Sequence, residues 1–129
     1  MTTKATQSET KKIPKLRFSG FSDDWEERKL GETVTFLRGK GISKGDIVEN
    51  GKNKCIRYGE LYTQYSEIIN EVKSKTNISK VDSLLSKKND VLIPSSGETA
   101  LDISSLSCIK EDDVLLGGDL NVMRPHKDY

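Results

Sequence analysis

The stretch DVLLGGDLNVMRP, residues 113–125, shows the pattern on which the fold of this chain is predicted. An apolar run at residues 114–116 and a second apolar segment from residue 120 flank the pair Gly117 and Gly118. Adjacent glycines favour a turn, and Pro125 has no backbone N–H to offer a sheet. The stretch therefore predicts a strand, a double-glycine turn and a second strand that ends at Pro125.

Three further segments carry the same signals of short strands between turns. In DVLIPSSGET, residues 90–99, a buried strand is predicted at residues 91–93, stopped by Pro94 and followed by a Ser-Ser-Gly loop. CIRYGELYTQY, residues 55–65, predicts a strand, a bend at Gly59 and another strand. Residues 100–109, ALDISSLSCI, alternate in part and predict one more strand.

Helical spacing is confined to short segments. Residues 66–75 place Ile68, Ile69 and Val72 on one helical face, and residues 77–90 repeat such spacing after a capping Ser79. Near the start, two alternatives stay open: a short helix capped by Ser22, or a strand through residues 25–30 with a short helix after Gly31. The predicted fold is a β-rich α+β domain of short strands, one or two short helices and long glycine-rich loops.

Composition and length limit the chain to one domain. With 129 residues, 33% hydrophobic and 32% charged, it supports one lean core. Residues 1–12 are polar and predict a flexible tail, so the domain is predicted over residues 13–129. The longest apolar runs are far shorter than the ~20 residues of a membrane span. The first residues lack the apolar centre of a secretory signal, so a cytoplasmic protein is expected.

Positive charge is concentrated in one glycine-rich segment. RGKGISKGDIVENGKNK, residues 38–54, is predicted to be a long loop or open hairpin with little buried backbone. From Arg38 to Arg57 there are six basic residues against two acidic ones, although the whole chain carries a net charge of only +1. A neutral total can hide a basic face that attracts DNA. From charge alone, solvated loops without a partner are slightly favoured over a DNA-binding face.

No motif for catalysis, a metal or a cofactor is found. The glycines near Lys40 lack the order of a phosphate-binding loop, and no dinucleotide-binding pattern is present. The only histidine, His126, has no nucleophile nearby in sequence and is expected to be exposed. Asp90 is interpreted as a polar residue at a strand entry, Glu98 as a turn residue and Asp119 as a turn or capping residue. Cys55 and Cys108 are expected to be reduced, each on or beside a strand.

Four stretches together are similar to the specificity subunits of type I restriction-modification systems. IPKLRFSGFSDDWEERKLGE, residues 13–32, resembles the opening of those subunits, where Pro-x-Leu-Arg-Phe-x-Gly-Phe precedes a tryptophan and Lys-Leu-Gly. IRYGELYTQY, DVLIPSSGET and LGGDLNVMRP resemble the interior of their target-recognition domains. The resemblance covers residues 13–125 and identifies the chain as the first part of the first such domain.

The resemblance implies a DNA-binding component of bacterial defence that is not itself an enzyme. Each recognition domain of the family reads one half of a split double-stranded DNA target, and long helices bind modification subunits. S-adenosylmethionine, ATP and Mg²⁺ belong to the partner modification (methyltransferase) and restriction subunits, so no cofactor is expected here. Compared with the family, the sequence ends at Tyr129, before the first recognition domain is complete. An alternative is therefore a protein-interaction or assembly fragment without independent DNA binding.

Candidate DNA contacts follow from chemistry and position in the sequence. Lysines of the glycine-rich loop are expected at phosphates, and arginines at phosphates or guanine edges. Polar residues of the two turns that resemble the family are expected to donate to bases or phosphates, or else to make ordinary turn hydrogen bonds. Trp25 and its aromatic neighbours are expected to be buried at the edge of the core. The candidates are Arg38, Lys40, Lys44, Lys52, Lys54, Arg57, Tyr58, Ser95, Ser96 and Thr99.

Overall fold

The computed structural model describes residues 13–127, and the predicted tail at residues 1–12 lies outside them. A short helix, α1, is followed by strands that are mostly two to six residues long, with a second short helix, α2, before the last three strands. The elements are α1 (Leu30–Thr33), β1 (Val34–Arg38), β2 (Asn53–Ile56), β3 (Ile68–Ile69), β4 (Lys75–Thr76), β5 (Leu84–Leu85), β6 (Val91–Pro94), α2 (Ala100–Ile103), β7 (Ser107–Ile109), β8 (Leu115–Leu116) and β9 (Leu120–Pro125). Two 3₁₀ helices, Lys44–Asp46 and Tyr58–Leu61, flank β2. This is the β-rich α+β fold that the sequence predicts.

The larger sheet has five strands in the order β1-β9-β6-β7-β3. Strand β9 pairs antiparallel with both β1 and β6, and β7 pairs antiparallel with β6 and parallel with β3. Along β9, Leu120 and Val122 are buried while Asn121 and Met123 are partly exposed. This alternation is the period of two that places one face of a strand against a core.

The smaller sheet has four strands in the order β4-β2-β8-β5. Its centre is the parallel pair β2–β8, in which Cys55 lies opposite Leu115 and Ile56 opposite Leu116. The four residues of this parallel pair are buried, which is where parallel pairs normally occur. The predicted strand, double-glycine turn and strand of residues 113–125 are confirmed, but the two strands lie in different sheets.

Both sheets contribute to one core. Ile56 and Leu116 of the smaller sheet pack in the same buried cluster as Leu92 and Val122 of the larger sheet. A second, smaller cluster joins Ile42, Cys55 and Leu115. The two cysteines are free and lie on β2 and β7, as expected.

Arg124 of β9 joins an ion pair within the larger sheet and also bonds to the smaller sheet. Arg124 donates from Nε to Asp90 Oδ1 at 2.9 Å and from Nη2 to Asp90 Oδ2 at 2.8 Å. Arg124 Nη2 also donates to the carbonyl oxygen of Leu85, and the Asp90 carboxylate accepts the backbone N–H of Lys87. Asp90 is fully buried, so its role is structural, and this goes beyond the strand-entry role predicted for it.

The two helices predicted at residues 66–75 and 77–90 are wrong. Ile68 and Ile69 form β3 beside β7, and Leu84 and Leu85 form β5 beside β8. Each segment contains too few apolar residues to define a helical period, and long-range pairing with a neighbouring strand prevails. Of the three residues on the predicted helical face, Ile69 and Val72 are buried, whereas Ile68 is 51% exposed.

Two strand predictions hold only in part. After β2, the chain forms the 3₁₀ helix Tyr58–Leu61 in place of a second strand, and the Glu60 carbonyl oxygen accepts the backbone N–H groups of residues 63–65. Residues 100–109 contain α2 as well as β7, because Thr99 caps the helix through its hydroxyl. Strand β6 is confirmed and includes Pro94, which lies at its end and opposite Leu120.

The aromatic opening is not part of the core, which corrects the prediction for Trp25. Trp25 is 67% exposed, and Leu16, Phe18 and Phe21 are also largely exposed. No helix begins at Ser22; the short helix near Gly31 is present as α1, without the alternative strand before it. An aromatic sequence pattern indicates a need for burial but does not determine which surface provides it.

Candidate nucleic-acid interface

One end of the larger sheet gathers candidates from distant parts of the sequence. Arg38 at the end of β1 lies opposite Asn121 of β9, which lies opposite Ile93 of β6. Neighbouring strands are about 4.8 Å apart, so Arg38 and Ile93 are separated by roughly 10 Å. The Ser95 N–H donates to the carbonyl oxygen of Asp119, which places the Ser-Ser-Gly loop at the same end.

Two glycine-bearing segments cross closely behind this end. The N–H of Gly118 donates to the Gly41 carbonyl at 2.7 Å, and the N–H of Lys40 donates to the Leu116 carbonyl at 3.0 Å. A Cβ atom on Gly39 would lie 1.8 Å from the carbonyl oxygen of Gly117, so only glycine permits this approach. The start of the glycine-rich loop is therefore packed against the double-glycine turn, contrary to the expectation of little buried backbone.

Ile42 anchors the glycine-rich loop although its own backbone is strained. Its φ is 57°, a left-handed value that is unfavourable for a β-branched residue, and its side chain is 8% exposed. Burial beside Cys55 and Leu115 offsets the strain. The loop that carries Lys40 and Lys44 is thus anchored in the second core cluster.

Arg57 and Tyr58 begin the 3₁₀ helix at the end of β2, and this helix contacts β6. The Arg57 guanidinium carbon lies 5.9 Å from the centre of the Tyr58 ring, which is a cation–π distance. The backbone N–H of Arg57 donates to Glu60 Oε1 at 2.9 Å, whereas its buried Nε has no hydrogen-bond partner among the described residues. Tyr58 is half-buried against the core, so the arginine is held on a rigid support.

Tyr62, Glu98 and Asp102 also belong to this region, and sequence reasoning did not assign them to it. Burial raises the pKa of the Tyr62 phenol, and the nearby Tyr58, Asp102 and Glu98 raise it further while Arg57 lowers it. These influences show that the 3₁₀ helix and the loop around Glu98 face one another. The sequence did not indicate this position for Tyr62, because the residue was predicted to lie on a strand.

The turn residues Ser95, Ser96 and Thr99 differ in exposure and in the hydrogen bonds that their hydroxyl groups make. The Thr99 hydroxyl accepts the backbone N–H of Asp102 at 3.2 Å, which caps α2 and leaves its own hydrogen available to donate. Ser95 is exposed and Ser96 is half-buried. The Thr99 hydroxyl therefore already accepts one ordinary turn hydrogen bond, whereas Ser95 is exposed to solvent.

The remaining lysines lie along the smaller sheet. Lys44 is in the 3₁₀ helix that precedes the bridge between Ile47 and Thr76, and the N–H of Lys52 donates to Asn77 Oδ1. Lys44 and Lys52 are exposed. Lys54 lies on β2 and its Nζ is 3.0 Å from Glu111 Oε2, so a phosphate would have to compete with that carboxylate.

The two groups of candidates have different charge environments. At the sheet end, the cations Arg38, Lys40 and Arg57 are accompanied by the carboxylates Glu98, Asp102 and Asp119. Beside β2 and β4, Lys44, Lys52 and Lys75 are exposed. Strand β2 connects the groups, and the segment from Lys52 to Arg57 spans roughly 17 Å, half of a ~34 Å DNA turn. We call the first group the sheet-end surface and the second the lysine edge.

Metal-ligating side chains do not cluster among residues 13–127. No three Cys, His, Asp or Glu side chains converge as metal ligands within that range. His126 is exposed, as expected, and its Nε2 lies 3.0 Å from the Thr35 hydroxyl. Over the same residues no helix is long and apolar enough to cross a membrane.

Comparison with solved structures identifies the architecture. A chain from a study entitled "Structural basis underlying complex assembly and conformational transition of the type I R-M system" matches 97% of this chain with a TM-score of 0.60 and 14% identity. The HsdS subunit from Thermoanaerobacter tengcongensis matches 74% with a TM-score of 0.54 and 16% identity. The fold is that of a type I specificity-subunit domain. The predicted resemblance is thereby confirmed at the level of the fold.

The chain spans less than a third of the length of the matched chains. It spans 29% of the first structure and 22% of the HsdS subunit. No protein-family model and no curated protein sequence matches it.

Proposed function

We propose that this domain reads part of a double-stranded DNA target, one half of a bipartite sequence, for a type I restriction-modification complex. The observation that carries the proposal is the sheet-end surface, where Arg57 is supported on Tyr58 with an unsatisfied buried Nε beside hydroxyl and carboxylate groups. Arginine reads guanine with two hydrogen bonds, and carboxylates accept from cytosine. The modification and restriction subunits would supply methylation and cleavage, with their own S-adenosylmethionine, ATP and Mg²⁺.

The two charge environments suggest that one surface contacts bases and the other contacts phosphates. A surface with equal numbers of cations and carboxylates attracts phosphates weakly but presents donors and acceptors suited to base edges. The lysine edge, with exposed amino groups and Lys54 already paired to Glu111, suits phosphates. Base reading is assigned to Arg38, Arg57, Tyr58, Ser95, Ser96 and Thr99, and phosphate contact to Lys44 and Lys52 of the lysine edge, with Lys54 contributing only if it leaves Glu111. Lys40 belongs to the sheet-end surface but is also assigned to a phosphate, because a lysine binds phosphate as a point charge.

The test is fluorescence anisotropy with a random-sequence duplex pool across a salt titration, followed by selection of the bound sequences. The unsubstituted protein should bind in a salt-dependent manner and enrich a short motif. Lys52→Ala should weaken all duplexes alike and reduce the salt slope by about one, whereas Arg57→Ala should lose about 1–3 kcal/mol of preference at one position. Arg28→Ala, beyond the opposite end of the larger sheet, is the matched control and should bind normally.

Absence of duplex binding at low salt, by protein whose circular dichroism shows it to be folded, would overturn the proposal. In that case the alternative function, a protein-interaction or assembly module, would account for the fold. Cleavage of plasmid DNA with a divalent ion would contradict the non-catalytic role.

A further inference from the structure

The solvent-facing side of the larger sheet is apolar. Directly opposite residues project to the same side of a sheet, and one such row runs Phe36, Met123, Val91, Cys108 and Ile68 across all five strands. Phe36 is 60% exposed and Ile68 is 51% exposed. The set, which we call the apolar face, comprises Val34, Phe36, Ile68, Val91, Ile93, Cys108, Met123 and Pro125.

Two concavities divide the apolar face on either side of this row. The first is lined by Val34, Val91, Cys108 and Pro125, with Lys110 and Lys127 at its border. The second, about 340 Å³ in volume, is lined by Phe36, Ile93 and Met123 with Arg38 at its border. That volume is within the ~300–1,000 Å³ of a ligand cleft, so the surface can accept large side chains.

A second exposed apolar surface is the segment at residues 13–25, which we call the arm. Leu16 and Phe18 are 91% and 84% exposed, and Phe21 and Trp25 are 69% and 67% exposed. The arm turns back on itself, because Arg17 donates to the carbonyl oxygens of Ser22 and Asp23. Fully burying one such side chain contributes about 1.5–3 kcal/mol to stability. Burying the exposed side chains of the arm would therefore stabilise the protein further.

We propose that the arm closes over the apolar face of its own molecule. Its base already lies there, since Glu26, Arg28 and Leu30 line the first concavity together with the sheet residues. The segment from Trp25 to Leu30 reaches roughly 17 Å when extended, while the face extends about 13 Å from Val34 to Arg38. Trp25 can therefore reach every row of the face.

Charge and connectivity favour the same chain as the occupant. Asp23 and Asp24 immediately precede Trp25, whereas Arg38, Lys110 and Lys127 border the concavities. A short linker holds the arm at an effective concentration in the millimolar range, above that of a separate copy in ordinary solution. This inference concerns the side of the sheet away from the core and does not depend on DNA recognition.

Two native probes report on closure. Trp25 is the only tryptophan in the chain, so its quenching by acrylamide measures its exposure. Cys108 lies on the apolar face, while Cys55 is fully buried, so the rate of thiol labelling in the folded protein reports on Cys108. Both measurements use the full chain, at several protein concentrations.

We expect the arm to protect Cys108 from thiol labelling and the apolar face to protect Trp25 from acrylamide. If the arm is closed in about nine of ten molecules, the double variant Phe21→Ser, Trp25→Ser should label at Cys108 about tenfold faster than the unsubstituted protein. Phe36→Asp, on the face, should make Trp25 as accessible to acrylamide as it is in urea. Val81→Asp is the matched control, because Val81 is 74% exposed and outside the face, and it should change neither rate.

Equal Cys108 labelling with and without the aromatic side chains, or a fully accessible Trp25 in the unsubstituted protein, would overturn the proposal. Protection that rises with protein concentration would also overturn it, in favour of a second copy as the occupant. Thermal unfolding of each variant shows whether the core is intact, since all substituted residues are more than half exposed in the open arrangement.

Discussion

Asp90 illustrates how a single residue acquires a role from its partners. Its carboxylate is fully buried and accepts two hydrogen bonds from Arg124, whose side chain is 21% exposed. These bonds raise the pKa of Arg124, so the guanidinium remains charged and requires the carboxylate. Removing one partner of a buried pair leaves the other charge uncompensated.

We therefore expect Asp90→Asn to lower the free energy of unfolding by about 3 kcal/mol, toward the lower end for buried pairs because Arg124 retains some solvent contact. Urea titration followed by circular dichroism measures it. Glu49→Gln, at an exposed carboxylate in the glycine-rich loop, is the control and should be within about 0.5 kcal/mol of the unsubstituted protein. A loss of similar size in both variants would contradict the assignment.

Cys55 predicts a pH dependence of stability. Burial, reinforced by the Glu60 carboxylate, raises the pKa of the Cys55 thiol from 9.0 to about 11. Between these values the unfolded chain loses the proton while the folded chain keeps it, so the stabilisation is complete below pH 9 and declines as pH rises to 11. Burial also raises the pKa of Tyr65, which adds to the decline at still higher pH.

The expected slope from Cys55 is at most about 1.4 kcal/mol per pH unit. Cys55→Ala should make the alkaline decline shallower, even if it lowers stability at neutral pH by removing buried volume. Cys108→Ala removes the other thiol and should leave the decline as it is in the unsubstituted protein. Urea titrations at pH values from 8 to 11 provide the comparison, and parallel curves for all three proteins would refute it.

At the scale of elements, the crossing of the glycine-rich loop and the double-glycine turn controls where β1 ends. Gly39 has no room for a Cβ beside Gly117, so Gly39→Ala must push the two segments apart. We expect a loss of at least about 2 kcal/mol in stability, comparable to other backbone clashes and overpacking. Differential scanning calorimetry measures the effect.

Gly45→Ala is the matched control for that change. Gly45 lies in the same loop, within the 3₁₀ helix, and its added Cβ would meet nothing closer than the Ser43 hydroxyl at 4.0 Å. It should leave the unfolding temperature nearly unchanged. If the two alanine variants unfold alike, the crossing does not determine the position of the loop.

At the scale of the whole molecule, the shared core predicts that both sheets unfold together. Leu116 belongs to the smaller sheet yet packs in the cluster that contains Leu92 and Val122 of the larger sheet. Leu116→Ala should lower the free energy of unfolding by about 2–5 kcal/mol. Hydrogen exchange should show equal losses of protection for backbone amides of β6 and β8, while Val81→Ala, at an exposed position, should change neither. Loss confined to β8 would show two independent units.

The sequence by itself determined the fold class and several elements of this domain. Strands at residues 91–94, 115–116 and 120–125 follow from apolar runs bounded by glycine and proline, which are local signals. The polar groups of the sheet end were also identified from their chemistry. These features could be predicted because turn conformations and backbone hydrogen-bonding capacity belong to individual residues.

Only the tertiary structure decided which residues meet. Ile68–Ile69 and Leu84–Leu85 became strands because β7 and β8 are available to pair with them, and no local period encodes that partner. The same holds for Tyr62, whose phenol the structure brings close enough to Glu98 and Asp102 for their charges to raise its pKa. Trp25 shows the limit clearly: its apolarity is a property of the residue, but its burial depends on a surface that the rest of the chain must provide.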